Sequence, residues 1–290
     1  MSDVITAAER DQIAAANASG KPPVVFVHGL WLLASSWDPW REYFQAEGFA
    51  TIAPSWPDDP HTVAEARRDP SVLAGKGVAQ VTAHVADVIG ALDIKPVIIG
   101  QSFGGLITQK LAGLELASAS VAIDPAPFKG VLPLPASTLK ASLPVLGNPA
   151  NRKRAVALTF EQFRYGWANA LTETEARNLF ESYHIAAPGR PLFQAALANY
   201  AFRSEASVTT RAPDRGPMKL ISGGADHTVP WAITHASYKK QARNVAITEI
   251  EAILNRGHSL TIDSGWELVA QAALTFLRAH AGRTDTLRER

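Results

Sequence analysis

The sequence predicts an α/β fold: a mostly parallel central sheet of about six strands flanked by helices, with a helical cap inserted after the fourth predicted strand. Short apolar runs rich in β-branched residues alternate with segments of helical periodicity, which is the pattern of βαβ units. This pattern breaks after residue 129 and resumes at residue 216. The intervening segment has helical spacing and many aromatic residues, and the break therefore predicts the insertion.

Six runs are predicted to be strands, because each is short, largely apolar and bounded by turn residues. They are residues 24–27, 49–53, 97–99, 120–123, 218–222 and 246–253. Helical spacing predicts core helices over residues 36–47, 76–92, 103–116 and 264–281. The first run is apolar on both faces, which is typical of a strand buried within a parallel sheet.

These elements divide the chain into a core of residues 21–129 and 216–282 and a helical cap of residues 130–215. Residues 1–20 have Ala-rich spacing and are predicted to form an N-terminal helix or arm. At 290 residues, the chain is long enough to bury a sizeable core without disulfides.

Composition excludes several classes of function. The formal net charge is +1, which argues against binding to nucleic acid or to an anionic membrane. The chain has no cysteine, so disulfides, thiolate metal sites and a cysteine nucleophile are excluded. The N-terminus lacks the apolar segment of a secretory signal, and no stretch approaches the length of a membrane span. We therefore expect a cytoplasmic protein, whose oligomeric state is left open.

The strongest motif is Gly100-Gln101-Ser102-Phe103-Gly104, which follows a predicted strand and opens a predicted helix. In this context G-x-S-x-G is the nucleophile elbow, a strained turn that raises a serine hydroxyl above the sheet. Glycines two residues before and after the serine remove side chains that would collide there. The helix N-terminus supplies backbone N–H groups where negative charge develops, which predicts the Phe103 N–H as an oxyanion donor.

A second oxyanion donor is expected from the loop after the first strand. This strand ends in His28-Gly29-Leu30-Trp31, and Gly29 permits the sharp turn that frees the next N–H. The prediction is that the Leu30 backbone donates, with Trp31 second. His28 is expected to support the loop through hydrogen bonds.

Taken together, four motifs resemble the α/β-hydrolase superfamily. They are the strand followed by His28-Gly29, the serine elbow, the run Gly223-x-x-Asp226-x-x-x-Pro230, and Gly257-His258 near the C-terminus. The most similar members are cap-bearing serine esterases, lipase-like hydrolases and cofactor-free haloperoxidase or perhydrolase relatives. The resemblance implies a Ser-acid-His triad in that chain order, and it places Gln101 where many relatives have histidine.

The resemblance implies that His258 is the base, since it follows the last predicted strand and precedes the last helix. Neutral imidazole can take the serine proton and return it to the leaving group. His227 is the main rival, because it also lies close to a strand end.

Asp226 is favoured as the acid because its loop matches the acid loop of the family. Its carboxylate would accept the second imidazole N–H and stabilise the imidazolium. Asp124 is the alternative, since it ends the fourth predicted strand, where some relatives carry the acid.

These residues predict a hydrolase that cleaves an ester, thioester or lactone of a small, partly hydrophobic substrate, with no metal and no cofactor. Perhydrolysis, haloperoxidation, acyl transfer or hydroxynitrile cleavage on the same triad is the alternative, and a non-catalytic ligand-binding receptor is another. Aromatic residues beside the predicted oxyanion donors and in the cap are candidates to line the substrate pocket. They are Trp31, Phe128, Phe163 and Trp167.

Overall fold

The computed structural model describes residues 5–280. Residues 1–4 of the predicted N-terminal arm and residues 281–282 of the predicted core lie outside the described residues. Within the described part, a six-stranded sheet has the order β2-β1-β3-β4-β7-β8, and every neighbouring pair is parallel. Its strands are β1 Pro23–Val27, β2 Ala50–Ile52, β3 Val97–Gln101, β4 Ala119–Ile123, β7 Met218–Gly223 and β8 Thr248–Ile253. The predicted fold class is confirmed.

Seven α-helices lie outside the segment between β4 and β7, within residues 5–280. They are α1 Ala7–Ser19, α2 Asp38–Ala46, α3 Val63–Arg68, α4 Val78–Gly90, α5 Phe103–Gly113, α10 Trp231–Gln241 and α11 Trp266–His280. The predicted N-terminal helix is α1, which begins at a capping box between Thr6 and Glu9.

The sheet has a hydrophobic core on each face, as alternation along the buried strands requires. On β1, Val24 and Phe26 pack in one cluster, while Val25 and Val27 pack in the other. Phe26 stacks on Trp37 with ring centroids 5.2 Å apart, which anchors the start of α2 beneath the sheet. The central strands are therefore packed on both faces by buried apolar side chains.

Residues 124–217, between β4 and β7, form what we call the helical insertion. Its elements are α6 Ala136–Leu146, β5 Ala155–Val156, α7 Phe160–Gly166, α8 Glu173–Tyr183, β6 Ala187–Pro188 and α9 Arg190–Ala196. The two-residue strands pair antiparallel and were not predicted. Helix α6 was not predicted either, because Pro144 and the neighbouring Pro, Leu and Ser residues obscure its periodicity.

The order of the strands has a switch point between β1 and β3. The chain passes from β1 to β2 on one side and then to β3 on the other side of β1. The connections that leave the carboxyl ends of β1 and β3 lead to opposite sides of β1, and α/β folds bind ligands at such a point. No helix within residues 5–280 has both the length and the apolar character that crossing a bilayer requires.

Candidate active site

Ser102 is the single residue that connects β3 to α5, and its backbone has φ 56° and ψ −120°. This conformation is unfavourable for a residue with a side chain. Three hydrogen bonds hold it: the Ser102 N–H donates to Ile123 O at 2.9 Å, and Ser102 O accepts from the N–H groups of Leu106 and Ala126. Neighbouring β4 and the first turn of α5 therefore fix the strained turn in place.

The two glycines of the elbow are required by close packing. A Cβ on Gly104 would overlap the carbonyl oxygen of Val27, at the end of β1. A Cβ on Gly100 would overlap the carbonyl of Gly104. Helix α5 thus begins directly against the sheet, and only glycine allows that approach.

Ser102, His258 and Asp226 form a continuous hydrogen-bonded line. His258 Nε2 lies 3.0 Å from Ser102 Oγ, and His258 Nδ1 lies 2.6 Å from Asp226 Oδ2. All three residues are buried, with His258 fully inaccessible. The structure therefore brings together the three residues that the sequence predicts as nucleophile, base and acid.

The surroundings of Asp226 favour its charged form. Its Oδ1 accepts from the backbone N–H groups of Thr228 at 2.6 Å and Val229 at 2.9 Å. Burial alone would raise its pKa, but His258 and these hydrogen bonds outweigh burial and lower the pKa of Asp226 below its ordinary value. A carboxylate at this position can orient His258 and stabilise the imidazolium.

The rival histidine points elsewhere. His227 Nδ1 hydrogen bonds to the carbonyl of Tyr165 at 3.0 Å, and the two rings pack 4.7 Å apart. The alternative acid, Asp124, lies beside the Asp226 carboxyl, and its Oδ1 accepts a hydrogen bond from the Gly223 N–H at 2.8 Å.

The loop after β1 lies directly against the elbow. A Cβ on Gly29 would come 2.9 Å from both Gln101 O and Ser102 Cβ, so glycine is needed for this approach. The Leu30 N–H is the next donor along the chain. Phe103 is the first residue of α5, and its N–H therefore has no helical acceptor. Both predicted oxyanion donors thus belong to segments that meet at Ser102.

A buried network supports this loop from behind. His28 Nδ1 hydrogen bonds to Gly29 O at 2.9 Å, and Trp56 Nε1 donates to His28 O. On the other side of the ring, His28 Nε2 lies 3.4 Å from Asp59, which pairs with Lys76 at 2.6 Å. His28 therefore has the supporting contacts expected of it, while the Asp59–Lys76 pair was not recognised in the sequence.

Gln101 links the elbow to the histidine loop. Its amide Nε2 donates to the backbone carbonyl of His258 at 3.1 Å, and the side chain is 1% exposed. This bond ties the loop that carries His258 to the end of β3. The sequence located Gln101 behind the elbow, but its partner is 157 residues away and could not be identified.

The four candidate lining residues divide into two groups. The Trp167 ring packs edge-on against His258 with ring centroids 4.7 Å apart, and Trp31 packs edge-on against Trp167 at 6.4 Å. Trp167 therefore contacts His258 directly, and Trp31 lies behind Trp167. Phe163 stacks behind Trp167 and is fully buried within the helical insertion. Phe128 is 2% exposed and belongs to the same hydrophobic core cluster.

His184 is a buried histidine that joins separate parts of the helical insertion. Its Nε2 accepts from the Leu158 N–H at 3.1 Å, and its ring stacks on Phe180. Burial, reinforced by the Arg67 guanidinium, lowers the pKa of His184 to about 4. The folded protein therefore keeps this imidazole neutral, because a protonated Nε2 could no longer accept the hydrogen bond from the Leu158 N–H.

We expect stability to fall as the pH drops from about 6.5 towards 4, because only the unfolded chain takes up the His184 proton in that window. Above about pH 6.5, His184 is neutral in both the folded and the unfolded chain, so its contribution to stability is fully present. The free energy of unfolding that is lost between pH 6.5 and 4 is about 3 kcal/mol at most. His184→Gln keeps an acceptor but cannot titrate, and it should flatten the dependence of Tm on pH. Exposed His61→Gln is the matched control, and equal flattening in both variants would contradict the assignment.

Comparison with known proteins agrees with this architecture. Residues 24–272 match the model of the alpha/beta hydrolase family. No curated protein sequence matches the chain.

Solved structures share the fold at low sequence identity. A monoacylglycerol lipase from Paleococcus ferrophilus superposes with a TM-score of 0.63 at 19% identity, covering 90% of this chain and 96% of that one. An extracellular α/β-hydrolase from a Paenibacillus species gives 0.63 at 18%, covering 88% and 98%. A thermophilic esterase from Thermogutta terrifontis gives 0.57 at 17%, covering 89% and 90%. On the family match, which spans most of its length, the chain belongs to the alpha/beta hydrolase family.

Proposed function

We propose that the protein is a serine hydrolase that cleaves an ester, thioester or lactone of a small, partly hydrophobic substrate through an acyl-enzyme on Ser102. The observation that carries this proposal is one imidazole with two partners. His258 contacts Ser102 Oγ through one nitrogen and Asp226 through the other. This arrangement activates a hydroxyl that is otherwise a weak nucleophile.

In the first half-reaction, His258 Nε2 takes the Ser102 proton as Oγ attacks the substrate carbonyl. The imidazolium then gives this proton to the leaving alcohol or thiol. In the second half-reaction, His258 deprotonates water, which releases the acid and restores Ser102. Asp226 stays charged throughout, and its ionised form supports the imidazolium in both steps.

The N–H groups of Leu30 and Phe103 are proposed to bind the oxyanion of each tetrahedral intermediate. Gly29 brings the first segment against Ser102, and the start of α5 supplies the second. Donors on two rigid segments need no reorganisation as charge develops. The buried His28, Asp59 and Lys76 network would hold the first donor in position.

Residues 130–215 are proposed to act as a cap over the triad. Trp167 packs on His258, and its carbonyl accepts from Ser259 N–H at 3.0 Å. Ile185 N–H donates to the Trp31 carbonyl at 3.1 Å, which joins the cap to the loop after β1. Trp31 and Trp167 would form the apolar wall of the pocket, with Phe163 and Phe128 as packing behind it.

The test combines turnover with active-site labelling. Purified protein should hydrolyse p-nitrophenyl acetate or butyrate with a burst of p-nitrophenol equal to the enzyme concentration whenever deacylation is slow. A fluorophosphonate probe should add one label, which peptide mass spectrometry should locate on Ser102. The supporting similarity is that two neighbours of the same fold are named as a lipase and an esterase.

Two outcomes would contradict the proposal. A folded protein that neither hydrolyses these esters nor takes the label is not a serine hydrolase, and saturable ligand binding in that case would indicate a receptor. Peroxide-dependent formation of a peracid, or peroxide-dependent oxidation of a halide, without ester hydrolysis would indicate a perhydrolase or a haloperoxidase that uses the same residues.

A further inference from the structure

Asp124 is a second buried carboxyl next to the catalytic acid. It follows the last residue of β4, and Asp226 lies just beyond β7, the neighbouring strand. Parallel strands end at the same edge of a sheet, so the topology places both carboxyls together. Within the described residues, Asp124, Asp226 and His258 have side-chain N or O atoms all within 4.8 Å of one another.

The two carboxyls have different hydrogen-bond partners. Asp226 accepts from two backbone N–H groups and from His258, so it has three donors for one negative charge. Asp124 accepts from one backbone donor, the Gly223 N–H, through Oδ1. Its Oδ2 is buried beside the Asp226 carboxyl and the Ser222 hydroxyl, and has no fixed N–H donor among residues 5–280.

Two adjacent buried carboxyls that share one nearby imidazole are not expected to be charged together, because one imidazolium could compensate only one negative charge. Asp124 is fully inaccessible. Burial first, and the charge of Asp226 second, raise the pKa of Asp124 well above its ordinary value. Two ionised carboxylates cannot hydrogen bond to each other, because both are acceptors only. A proton kept on Asp124 gives that carboxyl an O–H donor, and the neighbouring Asp226 carboxylate can accept from it.

We propose that Asp124 is a protonated carboxylic acid that donates to Asp226, and that it takes over as the partner of His258 when Asp226 is removed. The second part rests on the proposed function, whereas the first does not. The pair carries one negative charge and one proton throughout the reaction. Asp124 is thus a positioning residue in the native enzyme, since it acts on His258 through Asp226.

Asparagine replacements test the pair, because an amide can donate where the protonated acid donates. In Asp124→Asn, the amide can donate to Asp226 and accept from Gly223, so kcat/KM should stay within about threefold and the pH profile should not move. In Asp226→Asn, Asp124 can lose its proton and serve His258, so the loss should be about 10²-fold. The double variant has no carboxylate left and should approach the roughly 10⁴-fold loss of an unsupported histidine.

The double-mutant cycle decides the takeover. A double loss at least 10-fold greater than the product of the single losses supports it. Additive losses would overturn it, as would an Asp124→Asn variant as impaired as Asp226→Asn. Asp124→Leu removes both hydrogen bonds, and a large loss there that Asp124→Asn rescues would show a hydrogen-bonding role rather than simple packing.

A spectroscopic readout is independent of turnover. The infrared difference spectrum of wild type minus Asp124→Asn at pH 7 should contain the C=O stretch of a protonated carboxylic acid. A difference spectrum with only ionised carboxylate bands would overturn the proposed protonation state. If wild type fails to hydrolyse or label, the proposed function fails, while this spectrum still tests the protonation of Asp124.

Discussion

Ser102→Ala is expected to lower kcat/KM for p-nitrophenyl butyrate by roughly 10⁴- to 10⁶-fold. Loss of Oγ removes the proposed nucleophilic atom, which lies 3.0 Å from His258 Nε2, and the proposed acyl-enzyme could not form without it. Burst kinetics and fluorophosphonate labelling measure the effect directly. Ser264→Ala, at an exposed serine, is the control and should keep full activity.

The same position should show a trade between stability and activity. The elbow holds Ser102 at a positive φ that glycine adopts freely. Ser102→Gly should therefore be as inactive as Ser102→Ala, yet about 1 kcal/mol more stable towards urea because the turn loses its strain. A glycine variant less stable than the alanine variant would contradict the strain assigned to this turn.

His258→Ala should lower kcat/KM by several orders of magnitude, because it removes the proposed base, whose ring contacts both Ser102 and Asp226. His227→Ala is the matched control. His227 follows the end of β7 much as His258 follows the end of β8. It contacts Tyr165 instead of Ser102, so its removal should change activity by less than about tenfold. Steady-state kinetics with a circular dichroism check of folding will separate the two.

The reverse pattern, with His227→Ala inactive and His258→Ala active, would transfer the role of base to His227. Partial recovery of His258→Ala activity by added imidazole would further support the assignment, since free imidazole can occupy the vacated space next to Ser102. A buried alanine at this position also removes the ring that packs against Trp167, so the folding check is essential.

The nucleophile elbow was readable in the sequence because its physical requirements are local. A strained serine between a strand and a helix needs small neighbours, and Gly100 and Gly104 are those neighbours. Five of the six parallel strands were equally readable, since their short apolar runs are buried on both faces. The edge strand β8 is partly exposed and was recognised as a short run of mixed polarity. Periodicity failed for α10, which has almost no apolar stripe, and for the two-residue strands β5 and β6, which are too short to have a pattern.

By itself, the sequence determined the fold class and the position of Ser102, because strand and helix periods and the glycines of the elbow are local patterns. The chain order of the remaining candidates came from the resemblance to α/β-hydrolases. Only the tertiary structure decided which histidine faces the serine, how Gln101 is used, and that Asp124 and Asp226 lie side by side. Those relations join residues about 100 or more positions apart. They arise because parallel strands bring their carboxyl ends to one edge of the sheet, and local sequence patterns carry no record of which ends will meet there.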